Sequence, residues 1–248
     1  MSTSDPKFRV AVVTGGSGGI GRATAQRLFR DGYALVVHYA SNQSAAEAVV
    51  GEITSAGGQA IAARADVADE VAVAALFDGA ERTFGGVDAV VHAAGEMPLA
   101  PLAELDLEVL DRVHRTNIRG TFVVNQQAVR RLRPGGAIVN FSSSVVAIAR
   151  PTYSAYAASK AAVEGLTLTL AHELRGRDVT VNAVAPGPTA TPMFFDGKNE
   201  ELIQRIAGEP PLERLGTPED SAELVAFLVS PAGHWVNGQV IRANGGII

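Results

Sequence analysis

Tyr156 and Lys160 stand four residues apart in Ser154 to Leu174, a stretch rich in good helix formers with a serine placed to cap its start. Four residues is one helical turn, so the phenol and the ammonium share a face and can act together. An unperturbed tyrosine titrates near about 10, and a cation within about 4 to 6 Å lowers an acid by roughly 1 to 3 units, toward the range useful for proton transfer. Taken alone, the pair also reads as a surface tyrosine beside a solvated lysine. Ser142, Ser143 and Ser144 follow the apolar run Ala137 to Phe141, at the carboxyl end of a predicted strand, where open α/β sheets bind ligands. One of them is a candidate catalytic hydroxyl, and a plain strand-end cap is the alternative. Asn117, in "HRTNIRG" within a long predicted helix, has poor helix propensity and no obvious local use beyond capping or packing.

A second candidate lies at the other end of the chain, in Val12 to Gly21, "VVTGGSGGIG". The spacing Gly15-x-Ser17-x-Gly19 matches a nucleophile elbow, with Asp220 and His234 following in the order that a hydrolase needs. Such an elbow draws half its oxyanion hole from a loop after an earlier strand, and only sixteen residues precede Ser17. The loop fits a phosphate cradle better. It follows the first predicted strand and opens a helix over Ile20 to Arg30, whose free N–H groups and positive end attract a pyrophosphate. An ordinary tight strand-to-helix turn is the bland reading.

Elements that could position these groups recur along the chain. Short apolar, β-branched runs at Val10–Val13, Leu35–Val37, Ala60–Ala63, Ala89–Val91, Ala137–Val139, Val179–Val184 and Val240–Ile241 read as buried strands. Helical spacing fills the gaps, as in Ala45-Val49-Ile53 and Leu107-Leu110-His114-Ile118, and Gly32, Gly57, Gly85 and Gly135 stand at the helix stops. This alternation predicts an α/β fold, a Rossmann-type doubly wound sheet of about seven parallel strands with helices on both faces. Residues 1–248 read as a single domain. The segment 187–215, with prolines at 188, 192, 210 and 211 and exposed-looking Met193, Phe194 and Phe195, reads as a lid or binding loop.

Composition limits the function classes. The chain has 248 residues, 47% of them hydrophobic, enough for one full core. It has no cysteine, so disulfides and cysteine-bound metals are excluded, and no metal site is expected. A net charge of −5 argues against a nucleic-acid-coating surface. No run reaches the about 18 to 20 apolar residues of a membrane span, and the first eight residues lack a signal-peptide pattern, so a cytoplasmic setting is the expectation.

Thr14-Gly15-(three residues)-Gly19-Ile20-Gly21, His92-Ala93-Ala94-Gly95, Asn117, Ser143, Tyr156-(three residues)-Lys160 and Pro186-Gly187 together resemble the short-chain dehydrogenase/reductase family, in order and spacing, over almost the whole chain. The resemblance selects Ser143 as the hydroxyl that binds the substrate carbonyl and stabilises the developing alkoxide. It implies Tyr156 as proton donor and Lys160 as the cation that also bonds the nicotinamide ribose. Asn117 is implied to kink its helix and to hold a water that relays protons to Lys160. Cofactor contacts are implied at Gly15, Ser17, Gly18, Gly19 and Ile20, at Asp66 and Val67, at Ala93, Ala94 and Gly95, and at Pro186, Gly187, Thr189 and Thr191. His92, where the family usually has asparagine, and Asn244, where an aspartate is common, depart from the pattern.

Enzymes of this kind that prefer NAD(H) carry an acid after the second strand, whose carboxylate repels a 2′-phosphate. Here Tyr39 takes that position, followed by Ala40, Ser41 and Asn42, and no carboxylate occurs before Glu47. NADP(H) is therefore favoured over NAD(H), with Ser41 and Asn42 as phosphate contacts, His38 or Arg22 as weaker ones, and reversal expected from Tyr39→Asp. Met97, Ser144, Tyr153, Met193, Phe194 and Phe195 are expected to form a mostly apolar substrate wall. The leading expectation is an NADPH-dependent carbonyl reductase, similar to 3-oxoacyl carrier-protein reductases, acting on a small ketone or acyl-type substrate. Alcohol oxidation, an enoyl reductase with its longer Tyr-to-Lys spacing, a sugar-nucleotide epimerase with its larger substrate domain and a non-catalytic NADPH-binding regulator are the alternatives. The family analogy implies a homotetramer, with helices around Leu107–Arg131 and Tyr156–Arg175 and the last strand at the interfaces.

Overall fold

The structure, a computed structural model, describes residues 8–248. Most of the segment on which the signal-peptide reading rested, residues 1–7, lies outside them. Among these residues seven strands, β1 (Val10–Thr14), β2 (Ala34–Tyr39), β3 (Ala60–Arg64), β4 (Val87–His92), β5 (Leu132–Phe141), β6 (Thr180–Pro186) and β7 (Val240–Ala243), form one sheet in the order β3-β2-β1-β4-β5-β6-β7. Every neighbouring pair is parallel. Each predicted run lies within or overlaps its strand, because parallel strands covered on both faces are continuously apolar.

Among the described residues ten α-helices connect them: α1 (Gly19–Arg30), α2 (Gln43–Ser55), α3 (Glu70–Phe84), α4 (Leu107–Val113), α5 (Gly120–Arg131), α6 (Val145–Ile148), α7 (Ser154–Glu173), α8 (Pro192–Phe195), α9 (Glu200–Ala207) and α10 (Pro218–Leu228). Side chains alternate across each strand, so two cores form. Ala11, Val13, Leu35 and Val37 meet Leu28, Val49, Ile53 and Val225 on one face, while Val12, Val36, Val90 and Ile138 meet Phe77, Val124 and Leu170 on the other. Among the described residues no helix is long and apolar enough to cross a membrane.

The sheet reverses its winding between β1 and β4, whose last residues Thr14 and His92 are paired. Connections leaving there diverge and open a crevice at the carboxyl ends of the strands. Two local expectations are corrected. Tyr153, not Ser154, precedes the first turn of α7, with no side-chain cap bond. The long predicted helix over Leu107–Arg131 is α4 and α5 joined by a π-helical segment, His114–Arg119, that contains Asn117.

Candidate active site

The loop after β1 is shaped by close approach. Gly15 has φ +65°, and a Cβ there would lie 2.9 Å from the Ala94 nitrogen; one on Gly21 would lie 2.2 Å from the Gly15 carbonyl oxygen. Only glycine lets the loop pass β4 and turn directly into α1. The residue before α1 is Gly18, no side chain caps the helix, and its first turn holds no acid. The N–H groups and positive end of α1 are thus presented to the crevice, which suits an anion.

His38 sets the loop from behind. Its Nδ1 accepts the Gly15 N–H at 3.0 Å, and its Nε2 bonds the Ala65 carbonyl at 3.0 Å. This pattern requires the neutral ring with the proton on Nε2. Burial pushes the imidazole below its ordinary value, in the same direction. His38 is accordingly a support for the loop and not a charged phosphate contact. Arg22, the other weaker candidate, is paired with Glu52 at 2.6 Å.

The crevice is a cleft of about 740 Å³. Gly15, Ser17, Gly18, Gly19 and Ile20 line it, as do Tyr39, Ala40, Ser41 and Asn42, Asp66 and Val67, and Ala93, Ala94 and Gly95. Ser143, Ser144, Tyr156, Lys160, Pro186, Gly187, Thr189 and Thr191 complete the predicted set, with Met97, Tyr153, Met193 and Phe194 at the substrate end. Three predicted residues, Arg22 among them, do not line the cleft. Asn117 lies behind it, and Phe195 is half-exposed at the end of α8, edge-on to Phe194 at 5.4 Å between ring centroids. Phe194, expected exposed, is buried, because one turn of α8 points it inward while Met193 and Phe195 face out. Arg112, Arg115, Arg150, Ile148 and Ile206 also line the cleft and were not singled out from sequence, where nothing in their spacing marks them.

The three serines separate by their hydroxyl partners. Ser142 Oγ donates to Glu164 at 2.6 Å, and Ser144 Oγ donates to the Ala185 carbonyl at 3.2 Å. Ser143 Oγ accepts a long bond from the Val145 N–H at 3.4 Å and lies beside the Tyr156 phenol, which it draws down. Burial outweighs that pull and pushes Tyr156 up to about 12. The expected lowering by Lys160 is therefore not what the structure shows. Lys160 Nζ donates to the Phe141 carbonyl at 2.8 Å and sits 5.6 Å from the centroid of the tyrosine ring, over its face. Burial pushes this ammonium down to about 8.

Asn117 is fully occupied. Its Oδ1 accepts the Glu96 N–H at 2.9 Å, while Nδ2 donates to the Glu96 carbonyl at 2.9 Å and to Ser159 Oγ at 3.0 Å. The side chain ties the loop after β4 to α7, one residue from Lys160, and its own carbonyl accepts the Thr121 hydroxyl at 2.6 Å. Asp66 accepts the Ala68 N–H and pairs with Arg115 at 2.5 Å, while Asp69 is the cap of α3. Tyr39 packs in the core, so an aspartate there would bury a carboxylate, and the proposed reversal by Tyr39→Asp is not a clean test. The hydrolase reading fails on geometry. His234 pairs with Asp178 at 2.8 Å, and Asp220 caps α10 and pairs with Arg214, so neither partners Ser17.

A glycine-lined helix start, a long cleft and a deep Ser-Tyr-Lys cluster fit a dinucleotide laid across the switch point. Comparison with known proteins agrees. A family model described as enoyl-(acyl carrier protein) reductase matches residues 15–248. A short-chain type dehydrogenase/reductase of Picea abies is 48% identical, with 96% of this chain and 92% of that protein covered. An NADPH-dependent aldehyde reductase-like chloroplastic protein of Arabidopsis thaliana is 43% identical, over 97% of this chain and 94% of its own. The crystal structure of a Burkholderia cenocepacia short chain dehydrogenase in complex with NADP superposes with a TM-score of 0.92 at 39% identity, covering 98% of this chain and 99% of that one. Glycine loop, deep triad and kinship over almost the whole chain lead to one assignment: the chain belongs to the short-chain dehydrogenase/reductase family of NAD(P)-dependent oxidoreductases.

Proposed function

We propose that the protein reduces a ketone, aldehyde or 3-oxoacyl-type carbonyl to the alcohol with NADPH. One observation carries this reading: Ser143, Tyr156 and Lys160 converge in the same cleft as the glycine loop. NADPH, when bound, supplies the hydride. Ser143 donates a hydrogen bond to the carbonyl oxygen, and Tyr156 passes its proton to that oxygen as negative charge develops. A phenol held near 12 keeps its proton until an alkoxide, which is more basic still, forms beside it. Lys160, which donates to the Phe141 carbonyl here, would bond the ribose of the bound cofactor, and Asn117 positions the lysine by fixing α7 against the loop at Glu96.

The preference for NADPH rests on the turn Ala40-Ser41-Asn42, which lines the cleft and carries no acid. Relatives described as NADPH-dependent and the NADP-bound homologue support it. Met97, Tyr153, Met193 and Phe194 make the substrate end largely apolar, which favours an uncharged carbonyl compound. The proposal takes residues 1–248 as one domain with a lid at about 187–215, working as a homotetramer in the cytoplasm. Although the matching family model bears an enoyl reductase description, the four-residue interval from Tyr156 to Lys160 favours carbonyl over enoyl reduction.

A panel of ketones, aldehydes, β-ketoacyl and enoyl thioesters, assayed with NADPH and NADH, tests the reading. Turnover of carbonyls with NADPH is the expected result. Tight NADPH binding with no turnover across the panel would favour a non-catalytic regulator, and reduction of enoyl thioesters alone would favour the enoyl branch.

A further inference from the structure

The turn after β2 has no basic residue of its own, yet the chain places a cation there from the neighbouring strand. Arg64 ends β3, and its Cα is paired in register with Tyr39, the last residue of β2. Its Nε donates to the Ala40 carbonyl at 3.3 Å, which holds the guanidinium against the turn that lines the cleft. The other basic groups near this end are committed elsewhere: Arg22 to Glu52, Arg115 to Asp66, and His38, neutral, to two backbone groups. Arg64 is different. Among the described residues it forms no ion pair, and its side chain is exposed, with both Nη groups free of carboxylates. Beside it, Asn42 Oδ1 caps α2 by accepting the Ala45 N–H at 3.1 Å, which leaves the amide NH₂ as a donor.

We propose that Arg64 selects the phosphorylated cofactor, its Nη groups pairing with the 2′-phosphate of NADPH at the Ala40–Asn42 turn. This inference rests on the NADPH reading above and names the residue responsible for it. A guanidinium presents a planar fork that matches two phosphate oxygens, and the bond from Nε to Ala40 fixes its orientation before the ligand arrives. NADH has a hydroxyl in place of that phosphate and gains little from the fork. Register explains why the residue is hidden in the sequence, since Arg64 lies twenty-four positions beyond Ala40 and meets it only through the β2–β3 pairing.

Calorimetric titration of the full chain with NADPH and NADH, and with 2′,5′-ADP and ADP, separates the possibilities without turnover. Arg64→Gln is expected to weaken NADPH and 2′,5′-ADP by about tenfold or more while NADH changes by less than about twofold, and Arg64→Lys to recover part of the loss. Unchanged NADH binding also shows that the variant is folded. Raising salt should weaken NADPH more than NADH in the parent and reduce that difference in Arg64→Gln. Arg22→Gln, with its charge already paired, should leave both affinities in place. If the parent prefers NADPH and Arg64→Gln keeps that preference, or loses NADH equally, the assignment of Arg64 is overturned while the NADPH reading stands. Equal binding of NADPH and NADH by the parent would overturn both.

Discussion

A phenol that must give up a proton benefits from being reluctant to lose it early. Tyr156 is only 8% exposed, and burial rather than charge dominates its titration, pushing it up to about 12. Throughout the neutral range it therefore keeps its proton, as the proposed donor must. In the proposed mechanism Lys160 acts mainly by position, since its ammonium lies over the ring face, 5.6 Å from its centroid. Tyr156→Phe removes only the hydroxyl and leaves the glycine loop and the Ala40–Asn42 turn untouched. Carbonyl reduction is expected to fall by roughly 10²- to 10⁴-fold, the usual contribution of a positioned acid, with NADPH affinity retained. Steady-state rates alongside binding titrations check this, and full turnover in the variant would remove Tyr156 from the role of proton donor.

Strand ends carry the next scale of control, and two buried histidines hold them. His92 ends β4 and shares a 2.8 Å bond between its Nδ1 and Thr14 Oγ1 of β1, while His38 links β2 to the glycine loop. Burial, with Lys160 adding repulsion, pushes His92 from its ordinary 6.5 to about 3, and His38 is lowered too. Between those limits the unfolded chain binds a proton that the folded one refuses, so stability is whole above pH 6.5 and is lost as pH falls toward 3. His92→Asn keeps a polar group for Thr14 and removes the proton uptake, so its melting temperature should fall less steeply than the parent's between pH 6.5 and 4. Parallel melting curves over that range, read by circular dichroism, check the slope, and identical slopes would clear His92 of the effect. The strands were legible because both their faces are buried, which makes Val10–Val13 or Ala137–Val139 apolar throughout, and the Tyr156–Lys160 face followed from one helical turn. Other features need three dimensions. The π-helical segment at His114–Arg119 adds a residue to a turn without changing composition, the choice among Ser142, Ser143 and Ser144 depends on where each hydroxyl points, and Arg64 reaches Ala40 only through strand register.

At the scale of the molecule, some of the exposed apolar side chains lie on the elements that the proposed assembly would bring together. Leu107 on α4, Phe122 on α5 and Leu168 on α7 are exposed, and Trp235, just before β7, is 99% exposed. These fall on the two surfaces where the proposed tetramer would join, the helix pair on one side and the last strand on the other. Covering one such side chain contributes about 1.5 to 3 kcal/mol, so a symmetric contact that repeats each of them twice gains appreciably. Light scattering and sedimentation of the purified protein are expected to give four chains. Phe122→Glu with Leu168→Glu places like charges on the helical surface and should leave dimers joined through the Trp235 side, with a melting temperature that now depends more strongly on concentration. Because Trp235 is the sole tryptophan, its emission reports the other interface directly: blue-shifted in tetramer and dimer, red-shifted only on dilution to monomer. A parent protein that sediments as a single chain, with water-exposed tryptophan emission at every concentration, would overturn the assembly.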